Sequence, residues 1–393
     1  MPGIGYRWRG GPPLSIEDYR RAARRALPDM AWAYVDGAAD DQVTRRDNEL
    51  AFRRWRLRQR GLAGVRAPDL SVEVAGERLA LPIVLAPTGI IGMAHWQGDL
   101  AAARAAEKAG TRHILSTGSS YSLEEVRDAT SENHWFQLYP FGDRVKVGEL
   151  LDRAAGAGFT ALFVTVDVPV RGNREAERRA GMTVPPTLTP GRLLDVAVHP
   201  AWWFNLLRHK RISAVHYAEG ARTLSGAVEA VRKQERYMQT DLDWNDLAWM
   251  RERWKGRLYV KGLMDPEDAA RAVDVIGANG VVVSNHGGRQ LDRAPATLEV
   301  LPGIVERVGN RGEVLLDGGV RRGVDVVTAL ALGARAVLIG RPYAYGLAAG
   351  GEAGVTDVLR ILREEMTRAL ILMGCPSAAE LDGSWLLAGM GEA

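Results

Sequence analysis

The sequence predicts a (β/α)8 barrel that carries a long insertion after its fourth strand. Short apolar segments rich in Val, Ile and Leu recur eight times along the 393 residues, mostly without polar alternation, as in strands covered on both faces. Helical patterns lie between these segments, and glycine-bearing loops follow them. No Gly-x-Gly-x-x-Gly turn follows the first segment, which disfavours an open dinucleotide-binding sheet. We therefore expect one α/β TIM barrel domain over residues 1–393.

The elements follow one another in a regular order. The predicted strands are residues 82–87, 113–117, 134–139, 161–167, 258–261, 280–284, 313–317 and 336–339. The clearest helical patterns are residues 100–109, 146–157, 266–275 and 324–332. We expect a helical extension over about residues 1–80 before the first strand. About ninety residues separate the fourth and fifth strands, far more than a βα unit needs, so an insertion is predicted at about residues 170–243.

Composition limits the class of protein. The chain is 46% hydrophobic and 25% charged, which is ordinary for a globular protein. A single cysteine, Cys375, excludes a disulfide within the chain and a Cys-rich metal site, and we expect no metal. Residues 1–11 show no apolar leader, and no stretch approaches the ~18 apolar residues of a membrane span. We expect a cytoplasmic protein without a nucleic-acid partner.

The predicted insertion is basic and carries bulky apolar residues. Residues 170–236 contain twelve Lys or Arg against six Asp or Glu, although the net charge of the chain is only +3. Within this stretch, residues 201–211 read Ala-Trp-Trp-Phe-Asn-Leu-Leu-Arg-His-Lys-Arg. This segment could be a lid over the barrel mouth with its tryptophans packed inward, a patch that binds an anionic membrane surface, or an oligomer contact. The sequence leaves the three open.

The loop after the sixth strand suggests acid–base chemistry. Residues 284–292 read Ser-Asn-His-Gly-Gly-Arg-Gln-Leu-Asp and directly follow the apolar run 280–283. His286 and Arg289 thus lie three residues apart on a tight loop at the carboxyl end of a strand, where barrel enzymes place their active sites. A titratable base beside a guanidinium can act on a small acid whose C–H bond is to be broken.

Two further loops suggest a phosphate site. Residues 317–323 after the seventh strand read Asp-Gly-Gly-Val-Arg-Arg-Gly, and residues 340–342 after the eighth read Gly-Arg-Pro. Glycines let backbone N–H groups approach an anion, and arginine completes the contact. The alternative, that these glycines are plain turn residues, is weaker for two adjacent loops that both carry arginine.

Polar residues also end the remaining strands. Lys261 ends the fifth strand, where it could form a Schiff base, pair with a carboxylate or place a positive charge beside a cofactor. Other strand ends carry Ser116, Gln137, Tyr139, Thr165 and Asp167. So many polar side chains at one end of a barrel indicate a site for a planar ring that forms hydrogen bonds.

These motifs, together with Val260-Lys261-Gly262, Phe136-Gln137-Leu138-Tyr139 and Ala86-Pro87-Thr88-Gly89, resemble those of the FMN-dependent L-α-hydroxy-acid oxidases and dehydrogenases. This family includes glycolate oxidase, lactate dehydrogenase and mandelate dehydrogenase, and the resemblance runs from about Ser15 to Leu381. It implies an FMN cofactor and oxidation of an L-2-hydroxy acid to the 2-oxo acid by hydride transfer to the flavin. It does not separate hydride transfer from a carbanion mechanism.

The resemblance also implies a role for each matched residue. His286 would be the base, with Asp167 stabilising its imidazolium. Arg174 and Arg289 would bind the substrate carboxylate, and Tyr34 and Tyr139 its oxygens. The residues implied to hold FMN are Pro87, Thr88, Gly89, Ser116, Gln137, Thr165, Lys261, Ser284, Asp317, Gly318, Gly319, Arg321, Gly340 and Arg341.

Some positions depart from the commonest family pattern and bear on specificity. Gly89 stands where the oxidases usually carry alanine, and Gly118 where glycolate oxidase carries a bulky aromatic residue. Asn173 replaces an arginine found in some oxidases. Small residues at 89 and 118 imply a roomy pocket, and hence a larger or aromatic acid such as (S)-mandelate. A lactate or short-chain acid oxidase that makes hydrogen peroxide is the alternative, and a peripheral membrane flavin-binding protein is the non-enzyme alternative.

The resemblance extends to partners. The insertion is similar to that of mandelate dehydrogenase, which attaches that enzyme to the inner face of the cell membrane. The electron acceptor would be oxygen or a quinone of an electron-transfer chain, and the family pattern implies a homotetramer.

Overall fold

A computed structural model describes residues 11–131, 134–183, 185–216 and 241–388. Its strands are β1 (Trp55–Leu57), β2 (Val72–Val74), β3 (Glu77–Leu79), β4 (Ile83–Leu85), β5 (Ile114–Ser116), β6 (His134–Leu138), β7 (Phe159–Thr165), β8 (Arg257–Leu263), β9 (Gly280–Val283), β10 (Glu313–Asp317), β11 (Ala336–Ile339) and β12 (Leu386–Ala388). The part of insertion 170–243 that spans residues 217–240 lies outside the described residues.

Helices alternate with the strands of the central sheet. They are α1 (Ile16–Ala26), α2 (Asp29–Asp36), α3 (Val43–Ala51), α4 (Gly98–Lys108), α5 (Leu123–Arg127), α6 (Arg144–Gly156), α7 (Glu175–Arg179), α8 (Pro190–Ala197), α9 (Pro200–His209), α10 (Trp244–Arg253), α11 (Pro266–Asp274), α12 (Thr297–Val308), α13 (Gly323–Ala331) and α14 (Arg341–Met373). At the start of several of these helices, the side chain of the N-cap residue accepts hydrogen bonds from backbone N–H groups of the first turn. Asp143 accepts the N–H of Lys146 at α6, and Asp265 accepts those of Glu267 and Asp268 at α11.

The central sheet confirms the predicted barrel. Its eight strands run parallel in the order β4-β11-β10-β9-β8-β7-β6-β5. The two edge strands meet where Leu85 forms a parallel bridge with His113 and its N–H donates to the carbonyl of Arg112 at 2.9 Å. Every residue of β9 and β11 is buried, because helices cover the outside of the sheet and side chains fill its interior.

All eight predicted barrel strands are present, with ends that differ by at most two residues. The N-terminal extension differs more, because it is helical only as far as Arg54. From residue 55 onward it forms β1, which pairs with β12 near the carboxyl end of the chain, and the hairpin β2–β3. Ala75 and Gly76 at the hairpin turn both have positive φ (56° and 76°), as a two-residue type I′ turn requires. The apolar–polar–apolar order Val72-Glu73-Val74, which the structure shows as buried–exposed–buried, is the sequence pattern that could have predicted this strand.

The insertion crosses the carboxyl ends of the barrel strands. The indole N–H of Trp202 in α9 donates to the carbonyl of Met93 at 2.7 Å, in the segment that follows β4. The ring of His209 stacks on Trp96, with 3.8 Å between the ring centroids. These contacts hold α9 over the barrel mouth. Among the described residues, no helix has the length and hydropathy needed to cross a membrane.

Candidate active site

A cavity of about 350 Å³ lies at the carboxyl ends of the strands, beneath the insertion. Most of the predicted site residues line it, namely Tyr34, Pro87, Thr88, Gly89, Tyr139, Arg174, Lys261, His286, Arg289, Asp317, Gly318, Gly319, Arg321, Gly340 and Arg341. The five that do not are Ser116, Gln137, Thr165, Asp167 and Ser284. Each of these five forms a hydrogen bond to another predicted site residue, so the structure brings the whole set together.

His286 and Asp167 form a buried pair at one side of this cavity. His286 Nδ1 lies 2.9 Å from Asp167 Oδ1, and Tyr139 Oη lies 3.3 Å from His286 Nε2. His286 has a left-handed backbone (φ 57°), and its N–H donates to Ser284 Oγ at 3.1 Å. A non-glycine residue in this conformation is strained, which is common where side-chain placement serves function. Because Nδ1 faces the carboxylate, Nε2 is the ring nitrogen available as a base.

The protonation states of this pair suit a base. Burial lowers the pKa of His286 below its ordinary value, although the charge and hydrogen bond of Asp167 oppose the change. Burial acts to raise the pKa of Asp167, but the hydrogen bond to His286 and the charge of Lys261 hold that pKa below the ordinary range. The imidazole is therefore neutral and the carboxylate ionised near pH 7.

The backbone of β8 makes room for the pair. Gly262 has φ 107°, and a Cβ atom there would lie 2.7 Å from Asp167 Cβ. Glycine at this position lets Asp167 approach the strand that carries Lys261.

Arg174 and Arg289 lie close together because both contact the carboxylate of Glu177, a residue that the sequence analysis did not select. Arg289 Nη1 donates to the carbonyls of Tyr34 (2.7 Å) and Gly37 (3.0 Å), and its Nη2 donates to Glu177 Oε1 at 2.8 Å. Arg174 Nη1 lies 3.7 Å from the same Glu177 oxygen. Glu177 is buried. Its position three residues after Arg174, on one helical face, was the signal that could have identified it.

Polar side chains link neighbouring strand ends. Ser116 Oγ donates to Gln137 Oε1, and Gln137 Nε2 donates to Thr165 Oγ1, each at 2.9 Å. This chain of hydrogen bonds runs across the ends of β5, β6 and β7. It fixes the amide orientation of Gln137 within the buried floor of the site.

Lys261 lies between two partners at the end of β8. Its Nζ is 2.9 Å from Ser284 Oγ and 2.9 Å from Asp317 Oδ2. Burial acts to lower the pKa of Lys261, but Asp317 and Asp167 outweigh it and the pKa is raised. A lysine with a raised pKa remains a cation, which favours the electrostatic role over a Schiff base.

The loops after β10 and β11 form the other side of the cavity. Gly318 and Gly319 have φ of 93° and 82°, and a Cβ at Gly319 would lie 2.0 Å from the carbonyl oxygen of Asn48. These glycines are therefore required by the fold of the loop. The guanidinium of Arg341 donates to the carbonyl of Gly287 at 2.9 Å, and Arg321 Nη2 donates to Glu49 at 2.8 Å. Two arginines and a glycine-rich backbone are thus concentrated where a phosphate site was predicted.

Small and apolar residues form another part of the cavity wall. Gly89 and Gly118 face each other, and a Cβ at Gly118 would lie 3.1 Å from the Cα of Gly89. The Tyr34 hydroxyl donates to the carbonyl of Gly89 at 2.5 Å. The rest of this wall comes from the insertion and the loop after β4, namely Met93, Met182, Trp202, Leu206 and Ile212. The expectation of a lid with inward-packed tryptophan is supported for Trp202, which lines the cavity.

Comparisons with known proteins agree with this geometry. Residues 23–388 match the family described as FMN-dependent dehydrogenase. The chain is 45% identical to an L-lactate dehydrogenase of Caulobacter vibrioides, covering 94% of this chain and 96% of the relative. It is 40% identical to the (S)-mandelate dehydrogenase of Pseudomonas putida, covering 95% and 93%. It is 42% identical to an L-lactate oxidase of Nostoc sp., covering 95% and 98%.

Solved structures give the same result. The crystal structure of a monotopic membrane protein, (S)-mandelate dehydrogenase, superposes with a TM-score of 0.91 at 38% identity, covering 96% of this chain and 100% of that one. The family match spans nearly the whole chain, and the relatives are similar over nearly their whole length. This chain therefore belongs to the FMN-dependent 2-hydroxy-acid dehydrogenases and oxidases.

Proposed function

We propose that this protein oxidises an L-2-hydroxy acid with a large or aromatic side chain, such as (S)-mandelate, to the 2-oxo acid, with His286 as the base. The observation that carries the proposal is that His286, paired with Asp167 at 2.9 Å, lines the same cavity as the guanidiniums of Arg174 and Arg289. Arg174 and Arg289 suit an acid anchored by its carboxylate, while His286 Nε2 takes the proton of its hydroxyl group.

FMN fits the remaining residues of the cavity. Asp317 Oδ1 is buried and has no hydrogen-bond partner among the described residues, so it can accept from a ribityl hydroxyl group. Gly318, Gly319, Arg321 and Arg341 would hold the phosphate. The ring and the rest of the ribityl chain would lie against Pro87, Thr88, Gly89, Ser116, Gln137, Thr165, Lys261, Ser284 and Gly340. When bound, FMN supplies the acceptor for the two electrons that leave the substrate.

The charged groups then have defined tasks. His286 becomes an imidazolium as it takes the proton, and the ionised Asp167 at 2.9 Å stabilises that charge. Burial raises the pKa of Tyr34 and of Tyr139, so both hydroxyls stay protonated. Tyr139 can donate to a substrate oxygen, and Tyr34 can do so by exchanging its present acceptor, the Gly89 carbonyl, for that oxygen. Lys261 remains a cation and can offset negative charge that develops on the cofactor.

The preference for a large side chain rests on the apolar wall. Gly89 and Gly118 line the cavity without side chains, and Met93, Trp202 and Leu206 supply apolar surface for a ring or a long alkyl chain. Lactate is the alternative substrate, favoured by the 45% identity to an L-lactate dehydrogenase.

The test is anaerobic reduction of the purified yellow protein by glycolate, lactate, long-chain 2-hydroxy acids and (S)-mandelate. We expect every acid of this panel that binds in the cavity to bleach the flavin absorbance. The rate of flavin reduction divided by the acid concentration that gives half the maximal rate should be highest for (S)-mandelate. A higher ratio for lactate would refute the substrate preference. A His286→Ala protein that still bleached at the wild-type rate would refute the mechanism. Admitting air or a quinone analogue to the reduced protein then distinguishes oxidase from dehydrogenase.

We also propose that α8 and α9 attach the protein to an anionic membrane surface. Leu193, Leu194, Phe204 and Leu207 are between 52% and 66% exposed. Exposed cations, including Arg208 and Lys210, lie beside them in the sequence. Such a combination suits the headgroup region of a bilayer.

Flotation with vesicles tests this attachment. Wild-type protein should float with vesicles that contain phosphatidylglycerol, and a double variant with Phe204→Asp and Leu207→Asp should not. Leu372→Asp is the matched control, because Leu372 is 60% exposed on α14, away from the insertion. If the wild-type protein stays at the bottom of the gradient, the membrane proposal is wrong and the enzymatic one is unaffected.

A further inference from the structure

Three arginines that line the cavity converge on one buried carboxylate. Glu177 Oε1 accepts from Arg289 at 2.8 Å and lies 3.7 Å from Arg174, while its Oε2 accepts from Arg171 at 2.9 Å. The Glu177 side chain is only 1% exposed. Glu177 does not line the cavity, so it contacts the guanidiniums from behind.

Apart from Glu177, Arg174 and Arg289 contact uncharged groups. Arg289 donates to backbone carbonyls and lies 5.1 Å from the centre of the Tyr34 ring, and Arg174 donates to the Gln290 amide oxygen at 3.4 Å. Among the ion pairs of the described residues, Glu177 is the only carboxylate that pairs with Arg174 or Arg289. Burial and the charge of Arg289 lower the pKa of Arg174 to about 10, as expected in a region rich in positive charge.

We propose that Glu177 is a positioning residue with which the substrate carboxylate competes for Arg289 and Arg174. Its charge orients both guanidiniums toward the cavity and partly neutralises them, so that a carboxylate is held less tightly than two bare cations would hold it. The same reduction applies to the 2-oxo acid product and speeds its release. This inference rests on the proposed function, because it takes a carboxylic acid as the ligand of these arginines.

The decisive variant is Glu177→Gln, which keeps the shape and an acceptor oxygen but removes the charge. We measure acetate binding to the FMN-loaded protein by titration calorimetry, with the 2-oxo acid as competitor to locate the site. At low ionic strength the variant should bind acetate about tenfold more tightly than the wild type. The gain should shrink as salt is added, because it arises from charge. Inhibition by the 2-oxo acid should strengthen by a similar factor.

Two further variants separate the charge of Glu177 from its shape. Glu175→Gln removes the same charge from the same helix, but Glu175 pairs with Arg179, away from the cavity, so acetate binding should stay within about twofold of wild type. Glu177→Asp keeps the charge and shortens the side chain. It should bind acetate as the wild type does but reduce the flavin about tenfold more slowly at saturating acid, because Arg289 is displaced.

Each outcome decides the proposal. A folded Glu177→Gln protein that binds acetate no more tightly than the wild type would overturn it, since a purely structural glutamate predicts equal or weaker binding. If that variant does not fold, Glu177→Asp decides, and wild-type acetate affinity together with a wild-type reduction rate would overturn the proposal. Failure of every 2-hydroxy acid to bleach the wild-type flavin would instead count against the proposed function, because acetate binding requires no turnover.

Discussion

Replacement of Asp167 by asparagine removes the charge that faces His286 while keeping an oxygen that can accept a hydrogen bond. The pair is 2.9 Å apart, and its side chains are only 16% (His286) and 11% (Asp167) exposed. Two unit charges about 4 Å apart interact by roughly 4 kcal/mol at an effective dielectric constant near 20. If this energy stabilises the imidazolium in the transition state, its loss slows the reaction by about 10³-fold.

The measurement is the rate of flavin bleaching at saturating acid, in a stopped-flow instrument without oxygen. Asp265→Asn is the matched control, because Asp265 caps α11 and does not line the cavity, and asparagine caps helices equally well. The control should react at the wild-type rate. An Asp167→Asn protein with a normal flavin spectrum and a rate within about threefold of wild type would refute the reasoning.

The pH dependence gives a second test of the same pair. His286 must be neutral to act as a base and its pKa is lowered, so the wild-type rate should rise with pH through a pKa below about 6.5 and then level off. Asp167 opposes that lowering, so its removal should move the acid limb to still lower pH. Movement of the limb to higher pH would contradict the assigned interaction.

Three other predictions concern stability and cofactor binding. Burial raises the pKa of Asp99 to about 7 in the folded protein, so the unfolded chain loses this proton at lower pH than the folded one. The free energy of unfolding of the wild type should therefore fall by up to about 4 kcal/mol as the pH rises from about 4 to 7. Urea unfolding of Asp99→Asn should not show this fall. Lys261→Met leaves the Asp317 carboxylate buried without its cation and should weaken FMN retention about tenfold, measured by fluorescence of released flavin. Gly319→Ala places a Cβ 2.0 Å from the Asn48 carbonyl and should also lower FMN retention about tenfold or more.

Matched changes give the controls for these predictions. Lys255→Met removes an exposed lysine and should leave FMN bound. Gly277→Ala shares the positive φ of Gly319 but meets open space, so it should cost some stability without releasing flavin. Equal pH slopes for Asp99→Asn and the wild type, or equal FMN retention in a substituted protein and its control, would show the corresponding argument to be wrong.

Much of the fold could be predicted from sequence because its signals are local. The barrel strands are covered on both faces, so each is a short run of aliphatic residues such as Gly280-Val281-Val282-Val283, which is visible without knowledge of its neighbours. The carboxyl ends of parallel strands meet at one face, so Lys261, His286 and Asp317 could be assigned to one site before any distance was known. The loop glycines followed from the same local logic.

The remainder depended on contacts between distant parts of the chain. β1 pairs with β12, which lies more than three hundred residues later in the chain. The three residues of β1 show no sequence pattern from which this pairing could be predicted. The spacing of Glu177 from Arg174 suggests at most an ion pair within one helix, whereas its burial as a counter-ion depends on the approach of Arg289 from the loop after β9. Likewise, Trp202 and Phe204 belong to one apolar run, yet one lines the cavity and the other faces outward. Composition and order along the chain determined the family of the site, whereas its charge balance and apolar wall were decided by packing, because burial and pairing are properties of neighbours in space.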